Sequence, residues 1–276
     1  MVQKPSIQVI EDIEAVPVEE QNIVFKPNVG PQTDFLAAGE REVLYGGSAG
    51  GGKSYAMLAD PLRYMGHPSF SGLLLRHTTE ELRELIYKSK EIYPQIWKGI
   101  KWSERKMQWE APSGARLWMS YLDRDDDVLR YQGLAFSWIG FDELTQWSTP
   151  YAWNYMRSRL RSVAQDLPVY MRATTNPGGP GHQWVKKMFI DPAPYGRSFN
   201  ATDIESGNVL SYPKGHSKAG QALFKRRFIP ARLSDNPYLS AQGDYEAMLL
   251  SLPEHQRRQL LEGDWDIKEG AAFSEF

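Results

Sequence analysis

The sequence contains no cysteine among its 276 residues, which excludes disulfide bonds, thiolate catalysis and zinc sites built from cysteine. It also lacks an apolar run long enough to span a membrane, and its N-terminus lacks the charged-then-apolar pattern of a secretion signal. The 32 basic residues are balanced by 34 acidic ones, for a net charge of −2. The chain as a whole is therefore not a basic nucleic-acid coat, and any nucleic-acid contact must come from local patches or partner subunits. These features predict an intracellular protein.

What the chain does contain is the composition of a globular protein, with 41% hydrophobic and 24% charged residues. Its length allows one large α/β domain with an appended subdomain, or two small domains. Residues 1–24 are acidic and contain proline, and we expect them to form an N-terminal arm. Such an arm is either a poorly ordered tail or a segment that docks on a partner.

Residues 47–54 match the pattern G-x-x-x-x-G-K-S of a phosphate-binding loop. The apolar run 42–45 predicts a buried strand before the loop, and a helix is predicted to start at Ser54, which is the context that the motif requires. Glycines let backbone N–H groups turn inward around phosphates, Lys53 can reach the β- and γ-phosphates, and the Ser54 hydroxyl can hold Mg²⁺. The alternative is a flexible glycine loop without a ligand, and the flanking elements argue against it.

Two adjacent carboxylates follow the apolar run 137–141, which is predicted to be another buried strand. Adjacent side chains on a strand diverge, so Asp142 and Glu143 cannot form one paired acid/base site. They suit a metal role for Asp142, through water, and a general-base role for Glu143. The alternative is an acidic N-cap for the helix predicted to start near residues 149–150. That alternative is favoured only where no phosphate-binding loop accompanies the strand.

Gln32 lies in a short predicted helix upstream of the loop, and its amide could read the edge of an adenine. The simpler interpretation is a solvated glutamine, and the sequence leaves both open. Thr174, Thr175 and Asn176 follow another predicted strand, 168–173, and could sense a γ-phosphate; an ordinary turn is the alternative. The acidic residues 123–127 are interpreted as a solvated loop in preference to a metal site, because they lack the spacing of ligands.

Several further elements are expected from periodicity and turn signals. Residues 101–109 and 115–121 are predicted to form a hairpin across residues 112–114. Residues 153–163 are predicted to be helical, and residues 191–218 to form a long loop or lid. Two helices are expected over 238–250 and 253–261, followed by a short strand over 263–267.

In this order and spacing, the motifs resemble those of the ATPase domain of the large terminase subunit, the DNA-packaging motor of tailed bacteriophages. The resemblance extends from about Gln32 to Trp265. It rests on Gln32, the loop 46–54, Leu-Leu-Arg at 74–76 with Thr78, Tyr-Gln-Gly at 131–133, the run 138–143, Ala-Thr-Thr-Asn-Pro-Gly at 173–178, Asp-Asn-Pro at 235–237 and Glu-Gly-Asp-Trp at 262–265.

The resemblance implies an α/β fold of the RecA-like, additional-strand (ASCE) P-loop type, with a doubly wound, mostly parallel sheet and a small C-terminal lid subdomain. The expected boundaries are 1–24 for the arm, 25–190 for the P-loop ATPase core and 191–267 for the lid or linker subdomain. Part of that subdomain is expected to return to the core. Residues 268–276 would begin the linker to a nuclease domain that this chain lacks. The resemblance therefore implies ATP hydrolysis without DNA cleavage.

The resemblance also implies the cofactors and partners. ATP and Mg²⁺ are the expected cofactors. The expected partners are double-stranded DNA, the portal protein, the small terminase subunit and further copies of the chain in a homo-oligomeric ring, a pentamer. The expected location is the host cytoplasm, transiently on the procapsid portal.

The alternatives are a RecA-like helicase or recombinase-type ATPase, and a nucleotide-binding assembly module without turnover. Candidate DNA-contacting residues are Arg157, Arg159, Arg161 and Lys225, Arg226 and Arg227.

Site roles follow residue by residue. The catalytic residues are Glu143, Lys53 and Arg130, and the metal ligands are Ser54 and Asp142. The coupling residues are Thr174, Thr175 and Asn176. The ATP-binding residues are Gly47, Ser48, Ala49, Gly50, Gly51, Gly52, Lys53, Ser54 and Gln32. Arg130 matches an arginine that enters a neighbouring subunit's site, although it could equally be a surface arginine paired with Asp126 or Asp127. Many relatives carry a cation between the first and last glycines of the loop, where this chain has none. The missing charge places more weight on Arg130 or Arg76.

Overall fold

The computed structural model describes residues 25–241 and 243–267, so the predictions for residues 1–24 and 268–276 lie outside it. The strands are β1 (Glu42–Gly47), β2 (Ser71–Arg76), β3 (Lys101–Ser103), β4 (Gln108–Glu110), β5 (Arg116–Tyr121), β6 (Trp138–Asp142), β7 (Tyr170–Thr175), β8 (Ser198–Asn200) and β9 (Lys225–Ala231). The α-helices are α1 (Pro31–Ala37), α2 (Lys53–Ala59), α3 (Thr79–Ile96), α4 (Tyr151–Arg157), α5 (His182–Val185), α6 (Pro237–Ser240), α7 (Asp244–Leu250) and α8 (Glu254–Arg257).

The strands form one sheet in the order β3-β4-β5-β2-β6-β7-β1-β9-β8. Six neighbouring strands of the sheet, in the spatial order β5-β2-β6-β7-β1-β9, pair in parallel. β3, β4 and β8 are antiparallel additions at the two edges. The sheet confirms the expected α/β, mostly parallel architecture. Because the central strands are covered on both faces, they read as continuous apolar runs in the sequence.

Two apolar clusters lie on opposite faces of this sheet. Val43 and Tyr45 belong to the cluster that contains α1, α2 and α3, whereas Leu44 belongs to the cluster of α4 and α5. This alternation follows from the two-residue period of a strand. Thr78 begins α3 with a reciprocal capping box, in which its hydroxyl accepts from the Glu81 N–H at 3.3 Å and its own N–H donates to the Glu81 carboxylate at 3.2 Å. In the described part of the chain, no helix has the length and apolarity to cross a membrane.

Three predicted elements differ in the structure. Residues 101–109 are two strands, since the chain reverses at Met107, whose φ is 49°, and β3 pairs with β4. The helix expected over 153–163 ends at Arg157, because the following residues bridge to Phe136. No strand forms over 263–267; Gly263 instead has a φ of 65° and lies against the backbone of the phosphate-binding loop.

Residues 191–218, expected to form a long loop or lid, contain the strand β8. β9 follows this segment, pairs with β8 and lies beside β1, one strand from the edge of the sheet. The helix expected over 238–250 is divided into α6 and α7, with Gly243 in a left-handed conformation immediately before α7. The second expected helix, over 253–261, begins as α8 and continues as a π-helical turn over Arg258–Glu262.

Candidate nucleotide-hydrolysis site

The phosphate-binding loop joins the end of β1 to the start of α2, as the sequence predicts. Gly47 has a φ of 139°, and a Cβ there would lie 2.2 Å from the carbonyl oxygen of Ala231 on β9. Gly50 and Gly52 both have a φ of 77°. Only glycine adopts these conformations without strain, so each of these glycines answers a local requirement of the backbone.

The loop carbonyls are held outward by side chains from three directions. The Tyr45 hydroxyl donates to the Gly51 carbonyl at 2.7 Å, the Gln32 amide to Gly52 at 2.9 Å, and the Asn236 amide to Gly50 at 2.6 Å. A peptide N–H points away from the carbonyl that precedes it, so these bonds turn the next N–H groups inward. Among the described residues, no backbone acceptor faces the N–H groups of residues 50–54. The loop is therefore a preformed anion cradle.

The beginning of the loop is attached to the C-terminal part of the chain. The Ser48 N–H donates to the Ala231 carbonyl at 2.9 Å, and the Ala49 N–H donates to the Leu260 carbonyl at 2.6 Å. A Cβ on Gly263 would lie 2.6 Å from the Ser48 nitrogen. The end of β9 and the segment after it therefore fix the position of the loop, although these contacts join residues 183 and 211 positions apart in sequence.

Lys53 is buried at the start of α2, and its ammonium donates to the Ser48 carbonyl at 2.6 Å across the cradle. Burial lowers the pKa of Lys53, while the carboxylates of Glu143 and Asp142 act in the opposite direction. The influence of these carboxylates places the lysine and the end of β6 in one electrostatic site. Ser54 follows Lys53 in the first turn of α2.

Asp142 ends β6 fully buried, between β2 and β7. The Thr174 hydroxyl on β7 donates to its Oδ1, and the Nε of Arg76 on β2 lies 2.8 Å from its Oδ2. The arginine contact is an ion pair without the alignment of a hydrogen bond. Arg76 is itself 8% exposed. The site therefore contains an internal cation next to the carboxylate.

Glu143 adopts a left-handed conformation with a φ of 60°, one of two non-glycine residues with positive φ in the described ranges. A non-glycine residue held in this region stores about 1–3 kcal/mol of strain, which is typical of functional sites. Burial and the adjacent Asp142 raise the pKa of the Glu143 carboxyl, partly offset by Lys53, Arg76 and the backbone N–H of Asn176. The sequence could not show this turn, which redirects Glu143 away from the strand.

Thr174, Thr175 and Asn176 connect this carboxylate pair to the next segment. Thr174 binds Asp142, while the Thr175 hydroxyl lies 2.7 Å from the hydroxyl of Thr145, two residues beyond Glu143. The Asn176 Oδ1 is buried without a hydrogen-bond partner among the described residues. These three residues therefore contact both sides of the Asp142–Glu143 turn and connect it directly to β7.

Arg130 lies outside the site that a single chain forms. It belongs to the 3₁₀ turn Asp125–Tyr131, its guanidinium donates to the Tyr121 carbonyl at 2.8 Å, and it lies 3.5 Å from the Asp127 carboxylate. Tyr121 ends β5, four strands from β1, which is about 19 Å at the usual strand spacing. Within one chain, the structure thus brings Arg76 and not Arg130 to the carboxylates.

The carboxylates of the acidic residues 123–127 do not converge on one point at which a metal ion could bind. They accept hydrogen bonds from neighbouring backbone and side-chain groups instead. The Asp127 carboxylate accepts from the N–H groups of Asp123 and Arg124 at 3.0 Å, and Asp125 accepts from the Thr149 hydroxyl at 2.9 Å. In the ranges that the structure describes, no group of three His, Asp or Glu side chains is arranged to hold a metal. The expected loop is a capped helical turn.

Gln32 lies next to the loop with both ends of its amide engaged. Its Nε2 donates to Gly52, and its Oε1 accepts from the Asn28 N–H at 2.6 Å. Beside it opens a cavity of about 410 Å³, in which polar and aromatic side chains meet. The cavity is lined by Phe25, Lys26, Asn28, Gln32, Gly52, Tyr55, Asn236, Tyr238 and Leu239.

The model of the phage terminase large subunit family matches residues 40–219, which include the loop, Arg76, the Asp142–Glu143 pair and Thr174. The chain belongs to this family. The match covers more than half of the sequence and contains the carboxylate pair together with the loop. A comparison with curated protein sequences finds no match.

Solved structures show the same fold for this terminase chain. The large terminase of a thermophilic bacteriophage, in complex with ADP, is 17% identical with a TM-score of 0.61, covering 87% of this chain and 54% of that one. Another crystal form of that protein gives 16% identity and a TM-score of 0.63, covering 91% and 57%. The ATPase domain of the Thermus phage P74-26 large terminase is 13% identical with a TM-score of 0.54, covering 87% and 94%. The chain thus spans about half the length of the first of these relatives.

The candidate DNA-contacting residues of this terminase chain divide into two groups. Arg157 and Arg226 both bind the buried carboxylate of Glu42, and Arg226 does so at 2.7 Å. Arg227 donates to the Gly196 carbonyl at 2.9 Å. These arginines stabilise the start of β1 and the edge of the sheet. Arg161 and Lys225 are exposed, and the half-buried Arg159 lies over the Tyr155 ring.

Proposed function

We propose that this chain is the ATPase part of a viral DNA-packaging motor, which hydrolyses ATP to drive double-stranded DNA into a procapsid. The observation that carries the proposal is that a preformed anion cradle follows β1 and the Asp142–Glu143 turn ends β6, and both strand ends pair with β7, at Thr175 and Thr174. Family membership supports it. A relative has been solved with ADP and with ATP-γ-S, and by similarity ATP is the substrate proposed here.

The triphosphate would lie along the loop. The inward N–H groups after Gly50 bind its phosphate oxygens, and Lys53 exchanges the Ser48 carbonyl for the β- and γ-phosphates. The 410 Å³ cavity next to Gly52 receives the base. Because both ends of the Gln32 amide are engaged, its role is to hold Gly52 and the wall of this cavity; a direct contact with adenine uses its remaining N–H.

Ser54 and Asp142 are the proposed ligands of Mg²⁺. A hydroxyl and a carboxylate are the hard oxygen donors that this ion prefers, and the Asp142 Oδ2 is buried without an aligned hydrogen bond. These residues fit the ion. When bound there, Mg²⁺ supplies charge neutralisation at the phosphate oxygens.

Glu143 is the proposed general base for the attacking water. Its raised pKa makes it a better proton acceptor than an ordinary carboxylate. The unpartnered Asn176 Oδ1 beside it is suited to accept the second hydrogen of that water. Arg76 supplies the cation that the loop lacks and stabilises charge on the γ-phosphate from within the same chain.

Thr174, Thr175 and Asn176 are the proposed coupling residues, because they contact both Asp142 and the segment after Glu143. We assign residues 25–190 as the ATPase core and residues 191–267 as the lid subdomain, which returns to the core through β9. Since Ala231 and Leu260 of the lid hold the loop, a change in the loop on hydrolysis is transmitted to the lid.

Arg130 is proposed to act on a neighbouring subunit's site in a ring, with a pentamer on the portal as the expected assembly. Its half-exposed position at the surface and its distance from the loop support a role between subunits. The portal protein and the small terminase subunit are the further proposed partners, in the host cytoplasm and on the procapsid. Arg130→Ala subunits should then recover turnover when mixed with Glu143→Gln subunits. Failure of mixing to restore turnover would assign the arginine to its own chain.

The activity itself is tested by ATP turnover of the full chain and of Lys53→Ala. We expect turnover in the wild type and its loss in the variant, because the lysine bridges the loop and the phosphates. ATP binding without turnover, with DNA and portal present, would favour an assembly module instead. Separation of the strands of a short duplex would favour a helicase, since a packaging motor moves duplex DNA intact.

A further inference from the structure

The chain between β8 and β9 folds into a small β arm, residues 201–224. Three short segments, 201–202, 209–212 and 221–224, pair through backbone hydrogen bonds of 2.8–3.0 Å. The bonds run from Ala201 N–H to Phe224 O, Leu210 N–H to Ala201 O, Leu223 N–H to Leu210 O, and Tyr212 N–H to Gln221 O. We call residues 201–224 the basic arm, for the charges described below.

The basic arm leaves the sheet at the end opposite to the nucleotide site. β8 ends where Asn200 pairs with Lys225, and the next residue of β9, Arg226, pairs with Glu42 at the start of β1. The phosphate-binding loop follows the other end of β1, about 17 Å away for a strand of this length. The charges of the arm are therefore not part of the nucleotide site.

The sequence from residue 206 to residue 234 contains six basic residues and no acidic one, although the whole chain is slightly acidic. Two of the six, Lys214 and Lys218, lie on the arm. Lys225, Arg226 and Arg227 begin β9, where Arg226 is buried against Glu42, and Arg232 follows the other end of β9. Lys214 and Lys218 are exposed at the tip of the arm, where neither has a carboxylate partner among the described residues. The acidic residues of the arm, Asp203 and Glu205, belong to the separate turn at its base.

The tip is an ordered turn and not a loose loop. The Tyr212 ring stacks on the His216 ring with centroids 4.5 Å apart and an angle of 18°, and the Lys218 N–H donates to the His216 Nδ1 at 3.1 Å. Residues 213–220 include no large apolar side chain that could anchor a protein interface. The Lys218 ammonium lies 5.8 Å from the centroid of the Tyr212 ring, and the Lys214 side chain is exposed. Two exposed ammonium groups on an ordered turn suit phosphate oxygens.

We propose that the basic arm contacts the phosphate backbone of duplex DNA through Lys214 and Lys218, without reading the sequence. The inference rests on the proposed packaging function, which requires a DNA-contacting surface. The same end of the sheet also carries Arg159 and Arg161, since the backbone of both residues bonds to Phe136 just before β6. The arm and these two arginines thus place positive charge at the same end of the sheet, with β6 and β8 four strands apart.

The test is equilibrium binding of the full 276-residue chain to a labelled 30-base-pair duplex over a series of salt concentrations. Lys214→Ala/Lys218→Ala removes the two tip charges. Lys101→Ala/Lys106→Ala is the matched control, because it removes two exposed lysines from the β3–β4 hairpin at the other edge of the sheet. ATP turnover without DNA is measured on the same samples, so that failure of the proposed function is detected separately.

We expect the tip variant to lower the slope of log affinity against log salt by about 1.8, which is the release of counterions from two phosphates. At a salt concentration one decade below 1 M this amounts to about 60-fold in affinity. The hairpin control and the DNA-free turnover should remain at wild-type values. An unchanged slope in the tip variant, or absence of duplex binding by the wild type at low salt, overturns the inference. Loss of binding to a protein component with unchanged DNA affinity also overturns it, and assigns the arm to that component.

Discussion

Replacing Arg76 should distinguish the role of this internal cation from that of the Arg130 side chain of a neighbouring subunit. The guanidinium is almost fully buried, with its Nε 2.8 Å from the Asp142 carboxylate. Arg76→Met keeps much of the side-chain volume but leaves the buried Asp142 carboxylate without its ion-pair partner. Breaking a buried pair in this way destabilises a fold by about 3–5 kcal/mol. Loss of a transition-state arginine lowers turnover by about 10³-fold or more.

The assays are ATP turnover at saturating substrate and chemical denaturation of the same proteins. Arg76→Lys is the matched control, because it keeps the charge but loses the planar fork; it should retain more stability than the methionine variant while still losing turnover. In a double-mutant cycle with Asp142→Asn, the double variant should lose less stability than the sum of the losses of the two single variants. Turnover of Arg76→Met within tenfold of wild type, together with a stability change below about 1 kcal/mol, refutes the role of Arg76.

Three further predictions follow from the described contacts. Glu42→Gln should lose about 3–5 kcal/mol of unfolding free energy at pH 7, because the buried Arg226 and the partly buried Arg157 lose their carboxylate. Although burial raises the Glu42 pKa, its arginine partners lower it below the ordinary 4.5. The stabilisation by the ionised Glu42 should therefore be complete above pH 4.5 and be lost as the pH falls below that value. Unfolding of the wild type over an acid pH series measures this loss. The turnover rate should fall with decreasing pH along a limb above pH 4.5, because the pKa of Glu143 is raised, and this limb should be absent in Glu143→Gln. Gly47→Ala should unfold in calorimetry at a clearly lower temperature than Gly133→Ala, since a Cβ at Gly47 meets the Ala231 carbonyl at 2.2 Å whereas Gly133 faces open space.

Local patterns were sufficient to predict the centre of the fold and the two halves of the site. The apolar runs that became β1, β2, β6 and β7 are buried on both faces, so their sequence carries a strong signal. The glycine pattern at 47–52 is imposed by the backbone itself. Both features depend on residues that are close together in the sequence.

The features that sequence patterns missed depend on distant contacts. Arg226 reaches Glu42 across 184 positions, so a basic run that resembles a surface patch is partly buried. The pairing of Arg76 with Asp142 requires β2 and β6 to be neighbours, which local periodicity does not show. The left-handed turn at Glu143 carries no sequence signal, because glutamate is not a residue that favours it.

Single-turnover hydrolysis of ATP by Glu143→Gln, with nucleotide binding measured in parallel, tests the central claim most directly. The amide keeps the size of the side chain but cannot accept the proton of the attacking water. We expect binding close to that of the wild type and hydrolysis slower by at least a factor of about 100, the usual contribution of a general base. Hydrolysis at the wild-type rate in this variant would contradict the assignment of Glu143 and, with it, the proposed hydrolytic site.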